Sequence, residues 1–212
     1  MDMSRPISTV IPTLDGPVLA VLARTSKPLT GRKVHQLAAT GSETGTRNVL
    51  RRLASTGLVT ASEVGSAVQY ALNREHLAAA AVLELTALRQ RLFQQIGEVI
   101  EQWSQQPVHA SVFGSTARGD GDLRSDVDLL LVHQFTDDPP DNWAADVDAL
   151  GDQVFAWTGN HLQIYELSES ELADHLRVGE PIVDDWLRDA FAVYGPDFRN
   201  LRNRIVQAVM PR

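Results

Sequence analysis

The chain has no cysteine among its 212 residues, which excludes disulfides, thiolate metal sites and a cysteine nucleophile. It also lacks any apolar run approaching the ~18 residues of a membrane-spanning helix. The opening MDMSRPISTVIPTLDG has no apolar core of the length a signal peptide requires. These absences predict a cytoplasmic protein with no membrane partner. The six histidines show no metal-ligand spacing, so His109, His133 and His161 read as structural or surface residues. No internal repeat or low-complexity tract is present. What remains is an ordinary globular composition, 43% apolar, in a chain long enough for one large or two small domains, each with its own core.

Charge is unevenly divided. Residues 1–75 hold nine Lys/Arg against five Asp/Glu, whereas residues 76–212 hold ten against twenty-two. Between Arg24 and Arg52 the imbalance sharpens: Arg24, Lys27, Arg32, Lys33, Arg47, Arg51 and Arg52 face only Glu43. Such a patch is the electrostatic footprint of a polyanion site. The local pattern agrees with it. Leu14 to Arg24 has helical apolar spacing, Thr30 caps a second short helix, and Ser42 caps a third over Thr44 to Ser55, with Val49, Leu50 and Leu53 inward. Leu58–Ala61 and Val68–Leu72 then read as strands around a Glu63–Ser66 turn.

Three helices followed by a hairpin resemble a winged helix-turn-helix domain over residues 12–75. That resemblance implies a DNA partner, read by the third helix. By position, Thr46, Arg47, Asn48, Arg51 and Arg52 would face DNA, with Lys33 as a phosphate contact. The competing reading is a solvated helix face in a domain that contacts protein.

From Arg74 to Trp103 the sequence predicts one long connecting helix, assigned to residues 76–105. Leu77, Ala81, Leu85, Leu88, Leu92, Ile96, Val99 and Trp103 follow near-heptad spacing. This stripe is either the seam of a homodimeric coiled coil or, in its later half, core beneath a sheet.

The stretch Ser111 to Val132, SVFGSTARGDGDLRSDVDLLLV, carries the chemistry. Two apolar strands are joined by a glycine-rich loop, and the second opens with Asp126 and Asp128. On a strand, side chains i and i+2 share a face, so the two carboxylates converge. Convergent carboxylates suit Mg²⁺, which is held by one or two of them together with waters and substrate phosphates. Gly114 lets backbone approach a bulky anion, and Ser115 adds a hydroxyl donor.

The series Gly114, Ser115, Ala117, Arg118, Gly119, Ser125, Asp126, Asp128, Leu129 resembles the signature of the DNA polymerase β-type nucleotidyltransferases, most closely their minimal branch. The resemblance implies an α+β fold: a winged helix-turn-helix, a connecting helix, and a nucleotidyltransferase-fold mixed sheet flanked by helices over residues 106–212. It implies Mg²⁺ as cofactor and a nucleoside triphosphate, ATP first, as substrate. Asp126 and Asp128 would be the catalytic metal ligands, and Gly114, Ser115, Arg118 and Ser125 the nucleotide contacts. Arg118 alternatively forms a surface ion pair with Asp120 or Asp122.

Members of that family carry a third carboxylate on a later strand, and this chain departs there. On Leu162–Leu167 the corresponding residue is Gln163, which offers a carbonyl oxygen but neither negative charge nor a proton acceptor. Glu166 lies three residues on and reaches the site only through a bulge or an early strand end; otherwise it sits near the next helix. Two readings therefore stand. One is nucleotidyl transfer to an acceptor, including a partner protein in an antitoxin-like role. The other is a DNA-binding regulator whose impaired domain senses nucleotide or binds a partner.

Further along, Asp137–Pro140 reads as a turn, Trp143 to Trp157 as a helix, and Ser168 with Glu171 as a capping box opening a helix over Glu169 to Arg177. Helices are predicted over Pro181 to Val193 and Phe198 to Val209.

Overall fold

A computed structural model of the chain describes residues 1–136 and 139–209; half of the expected turn, Asp137 and Asp138, lies outside them. The chain divides into two compact units, one of Arg5–Leu88 and one of Met1–Ser4 with Arg89–Arg212.

The first unit runs α1 (Asp15–Ala23), β1 (Leu29–Thr30), α2 (Gly31–Ala38), α3 (Glu43–Ser55), β2 (Val59–Val64), β3 (Ala67–Leu72) and α4 (Ala79–Thr86). Its three short strands pair antiparallel in the order β1-β3-β2. The helix starts follow the sequence: the Thr30 hydroxyl accepts from the Lys33 amide at 3.3 Å and the Ser42 hydroxyl from the Gly45 amide at 3.0 Å. Strand β1, only two residues long, was not foreseen. The core joins Val18, Leu19 and Leu22 of α1 to Val34, Leu50, Leu53, Tyr70 and Leu72, and Val82 of α4 closes it.

The expected single connecting helix is instead two. Ala87 departs from helical geometry (φ −96°, ψ 1°), its amide shared between the Leu83 and Glu84 carbonyls, while the Thr86 hydroxyl donates back to Leu83 O. Helix α4 belongs to the first unit, and α5 (Leu88–Ile100) lies almost wholly in the second. The heptad seam expected for a dimer is consumed accordingly. Leu85 packs on the first core, Leu92, Ile96 and Trp103 are buried in the second, and Leu77 is 99% exposed.

The second unit continues with β4 (His109–Phe113), α6 (Gly114–Arg118), β5 (Val127–His133), α7 (Asp141–Thr158), β6 (Leu162–Ser168), α8 (Glu169–Val178), α9 (Ile182–Asp189), β7 (Phe191–Tyr194) and α10 (Phe198–Val209). The sheet order is β6-β5-β4-β7, with β5 parallel to β6 and β4 antiparallel to both neighbours. This is the expected mixed sheet flanked by helices. Side chains alternate between its faces. Val127, Leu129 and Leu131 pack with α5 and α7; Leu130, Val132 and Leu167 pack with α8, α9 and α10. Strand β5 is therefore buried on both sides, and within it only Asp128 is part-exposed.

Two local expectations need correction. Residues Pro181 to Val193 are not one helix: α9 ends at Asp189 and Phe191–Tyr194 pairs with β4, where the β-branched and aromatic run suits an edge strand. The start of the glycine-rich loop is a helical turn, α6, closed by Gly119 at φ +75°. The capping box at α8 is present in full, with the Ser168 hydroxyl accepting from the Glu171 amide and the Glu171 carboxylate accepting from the Ser168 amide.

Candidate functional site

The site lies where β5 leaves the core. Asp128 pairs with Phe113 on β4, so the residue after Phe113, Gly114, is brought against the Asp128 side chain. A Cβ at Gly114 would lie 2.5 Å from Asp128 Oδ2, and Gly114 has φ +68°. Both the close approach and the backbone demand glycine. The sequence reading assigned Gly114 to an incoming anion; its immediate neighbour is the carboxylate itself.

Asp128 is half-buried, and burial first, then the charge of Asp126, push its carboxyl above the ordinary value, while Arg118 pulls it the other way. The two carboxylates are thus close enough to repel, and a bound cation would relieve both causes. Among the described residues no group of three or more His, Asp or Glu could hold a metal alone. The donor set fits Mg²⁺ in the manner that leaves room for water and phosphate: two carboxylates, no cage.

The loop between α6 and β5 is held by Ser125. The Ser125 hydroxyl accepts from the Asp122 amide at 2.9 Å and donates to Asp122 Oδ1 at 3.2 Å. Its carbonyl accepts from Asn160 Nδ2 at 2.8 Å. A Cβ at Gly121 would meet Ser115 Oγ at 2.9 Å and Ser125 Oγ at 3.1 Å, so both expected nucleotide-contact serines converge on Gly121. Arg118 pairs with Asp120, as one reading of the sequence had it, and also with Asp189, at 2.9 and 2.5 Å. Asp189 had no signal in the sequence: it lies seventy-one residues from Arg118.

Register places the two candidates for a third ligand on opposite faces of β6. Gln163 is the direct neighbour of Asp128 across the β5–β6 pair, on the same face and exposed. Glu166 occupies the opposite face with no bulge in β6, where its carboxylate accepts from Trp143 Nε1 at 2.6 Å and lies 3.6 Å from His133 Nε2. It is thus directed away from the face that carries Asp128. His109 is fully buried; its Nδ1–H donates to the Pro196 carbonyl at 2.7 Å, and Nε2 accepts from the Ser111 hydroxyl at 2.9 Å. It is structural, as expected.

In the first unit, the residues expected to face DNA divide. Lys33, Arg47, Asn48, Arg51 and Arg52 are exposed. Arg47 is ion-paired to Glu43 at 3.2 Å, Arg51 donates to Asn48 at 2.9 Å, and Arg52 is ion-paired to Asp15 of α1. Thr46 is a correction: it is fully buried and hydrogen-bonds His35 Nδ1 at 3.3 Å. Its position on α3 falls with Leu50 and Leu53 on the inward face, one step beyond where the sequence drew that face.

No curated protein matches the chain significantly. Among solved structures, it is similar to a chain of a toxin-antitoxin crystallised with AMP-PNP, at 12% identity over 55% of this chain and 83% of that one, TM-score 0.37. It is also similar to human N-acetylserotonin methyltransferase in complex with SAM, at 17% identity over 46% of this chain and 32% of that one, TM-score 0.28. Both likenesses are too distant to transfer an activity. The sequence match is local and falls on the site: residues 94–184, from α5 into the first turn of α9, match the family model of the nucleotidyltransferase domain.

Proposed function

We propose that the second unit transfers a nucleoside monophosphate from a Mg²⁺-bound nucleoside triphosphate to a hydroxyl acceptor. The observation that carries this reading is the pair Asp126 and Asp128 at the open end of β5, with Gly114 held against Asp128 by strand register. Asp126 and Asp128 would hold Mg²⁺, which neutralises charge on the phosphates undergoing displacement. The chain's own residues position: Ser115 and Ser125 converge at Gly121 to shape the phosphate side, and Arg118 presents a guanidinium beside Asp128. Beside Asp128 on β6, where a third carboxylate would supply a base, the chain has Gln163.

That residue favours a second reading, in which the domain binds nucleotide with little or no turnover and regulates the first unit. For the first unit we propose a winged helix-turn-helix that binds DNA. The element order helix, strand, helix, helix, strand, strand and the β1-β3-β2 sheet support it. Lys33, Arg47, Asn48, Arg51 and Arg52 form its contact face.

The deciding experiment measures Mg²⁺-dependent binding and turnover of the four ribonucleoside triphosphates, with Asp126→Asn and Asp128→Asn alongside. Turnover lost in both variants supports transfer. Metal-dependent binding without transfer supports the sensing reading, and no binding refutes both.

A further inference from the structure

Arg118 ends α6 and is held by two carboxylates of very different standing. Asp120, to which its Nε donates at 2.9 Å, is 60% exposed; Asp189, to which its Nη1 donates at 2.5 Å, is 3% exposed. Asp189 is the last residue of α9 and also accepts from Arg188, at 2.9 Å from Nε and 3.0 Å from Nη2. Both of its oxygens are therefore engaged by guanidinium groups. It lies beyond residues 94–184, outside the stretch that the family model covers.

The two bonds differ in what breaking them does. An exposed pair such as Arg118–Asp120 contributes little and exchanges readily for another anion. The Asp189 carboxylate is shielded from solvent and is itself fixed by Arg188 on both oxygens, so it offers Arg118 an acceptor that stays in place and the Arg118–Asp189 bond persists. The guanidinium is thus anchored at Nη1 and exchangeable at Nε, at the end of the short helix whose first residue, Gly114, lies against Asp128. A planar guanidinium fixed at one nitrogen keeps its remaining donors in a set direction, the geometry suited to phosphate oxygens.

We propose that Asp189 is a positioning residue that fixes Arg118 for the outer phosphates of a nucleoside triphosphate, and that Asp120 is the partner the phosphate displaces. This rests on the nucleotide-binding reading of the Asp126–Asp128 site. Removal of the Asp189 charge frees the guanidinium and weakens triphosphate binding. Removal of the Asp120 charge removes a competitor and leaves triphosphate binding equal or tighter.

The test is calorimetric affinity for MgATP and for AMP in wild type, Asp189→Asn, Asp120→Asn, Arg118→Ala and the Arg118→Ala/Asp189→Asn pair. Asp189→Asn is expected to weaken MgATP about tenfold, the loss of one charge-assisted hydrogen bond, and to leave AMP nearly unchanged. The double variant should bind MgATP no more weakly than Arg118→Ala, because Asp189 acts only through Arg118. Wild-type affinity in Asp189→Asn, equal loss for MgATP and AMP, weaker MgATP binding in Asp120→Asn, or additive losses in the double variant overturn the proposal while the site reading stands. Failure of wild type to bind MgATP overturns the site reading and this proposal with it. Where Asp189→Asn does not fold, Asp189→Glu decides: it keeps the charge, moves the carboxylate by one methylene and should still weaken MgATP, and unchanged affinity refutes positioning.

Discussion

Gly114→Ala tests the contact on which the site is built. Its Cβ would lie 2.5 Å from Asp128 Oδ2, 3.4 Å from Cγ and 3.7 Å from Cβ, at φ +68°. Gly159 supplies the control, since its φ is +73° and nothing lies within 4 Å of its Cβ position. Both substitutions carry the left-handed backbone penalty of about 1–2 kcal/mol. Only Gly114→Ala must also drive the Asp128 carboxylate from its rotamer, a further ~1 kcal/mol. On unfolding, that excess appears as a melting point roughly 3 °C below that of Gly159→Ala. All four tryptophans, Trp103, Trp143, Trp157 and Trp186, lie in the second unit, so their fluorescence follows that unit alone. In an Asp128→Ala background the nearest remaining atom is the Cβ at 3.7 Å, an ordinary contact, and the excess should vanish. Equal effects of Gly114→Ala and Gly159→Ala in wild type, or an excess that persists without the Asp128 carboxylate, would refute the reasoning.

Four more outcomes are expected. Burial lowers the His109 imidazole to about 4 although its donation to Pro196 opposes the shift, whereas an unfolded imidazole titrates near 6.5. The unfolded chain therefore binds more protons between those values. This contribution, about 3 kcal/mol, is fully present above pH 6.5 and lost as the pH falls to about 4, so His109→Gln should flatten the pH dependence of unfolding in that window. Gln163→Glu places a third carboxylate beside Asp128; Mg²⁺ affinity should rise about tenfold in titration calorimetry, and an unchanged affinity would show that Gln163 is not at the metal face. On α3, Arg51→Ala should weaken DNA binding and lower its salt dependence with little change in stability. Arg52→Ala should also destabilise the first unit, by about 0.5 kcal/mol, because it releases Asp15 of α1.

Local chemistry made much of this molecule legible. Thr30, Ser42 and Ser168 cap helices where their hydroxyls said they would, and the apolar run Leu129–Val132 marked a strand, which the structure buries on both faces. Strand parity put Gln163 on the face of Asp128 and Glu166 on the opposite one, as the spacing along β6 implied. What escaped was fixed by pairing between distant segments. Phe191–Tyr194 became a strand because β4 offered an edge, although its apolar spacing continued that of α9. Thr46 was assigned outward by a face drawn one residue too wide. Asp189 joined Arg118 only through the packing of α9 beside α6, which no local pattern encodes.

The site combines a still half with a yielding one. Asp128 is rooted in β5, whose residues from Leu129 to Leu131 are wholly excluded from solvent and hydrogen-bonded to strands on either side. Amides there exchange with solvent only when the whole unit opens, so the carboxylate holds its place through every smaller fluctuation. Asp120, Asp122, Leu123 and Arg124 are exposed, and the short segment that carries them can open without disturbing the sheet. The Asp128 carboxylate and the loop beside it thus answer to different motions, the first to opening of the whole unit and the second to the local bonds of a short exposed segment.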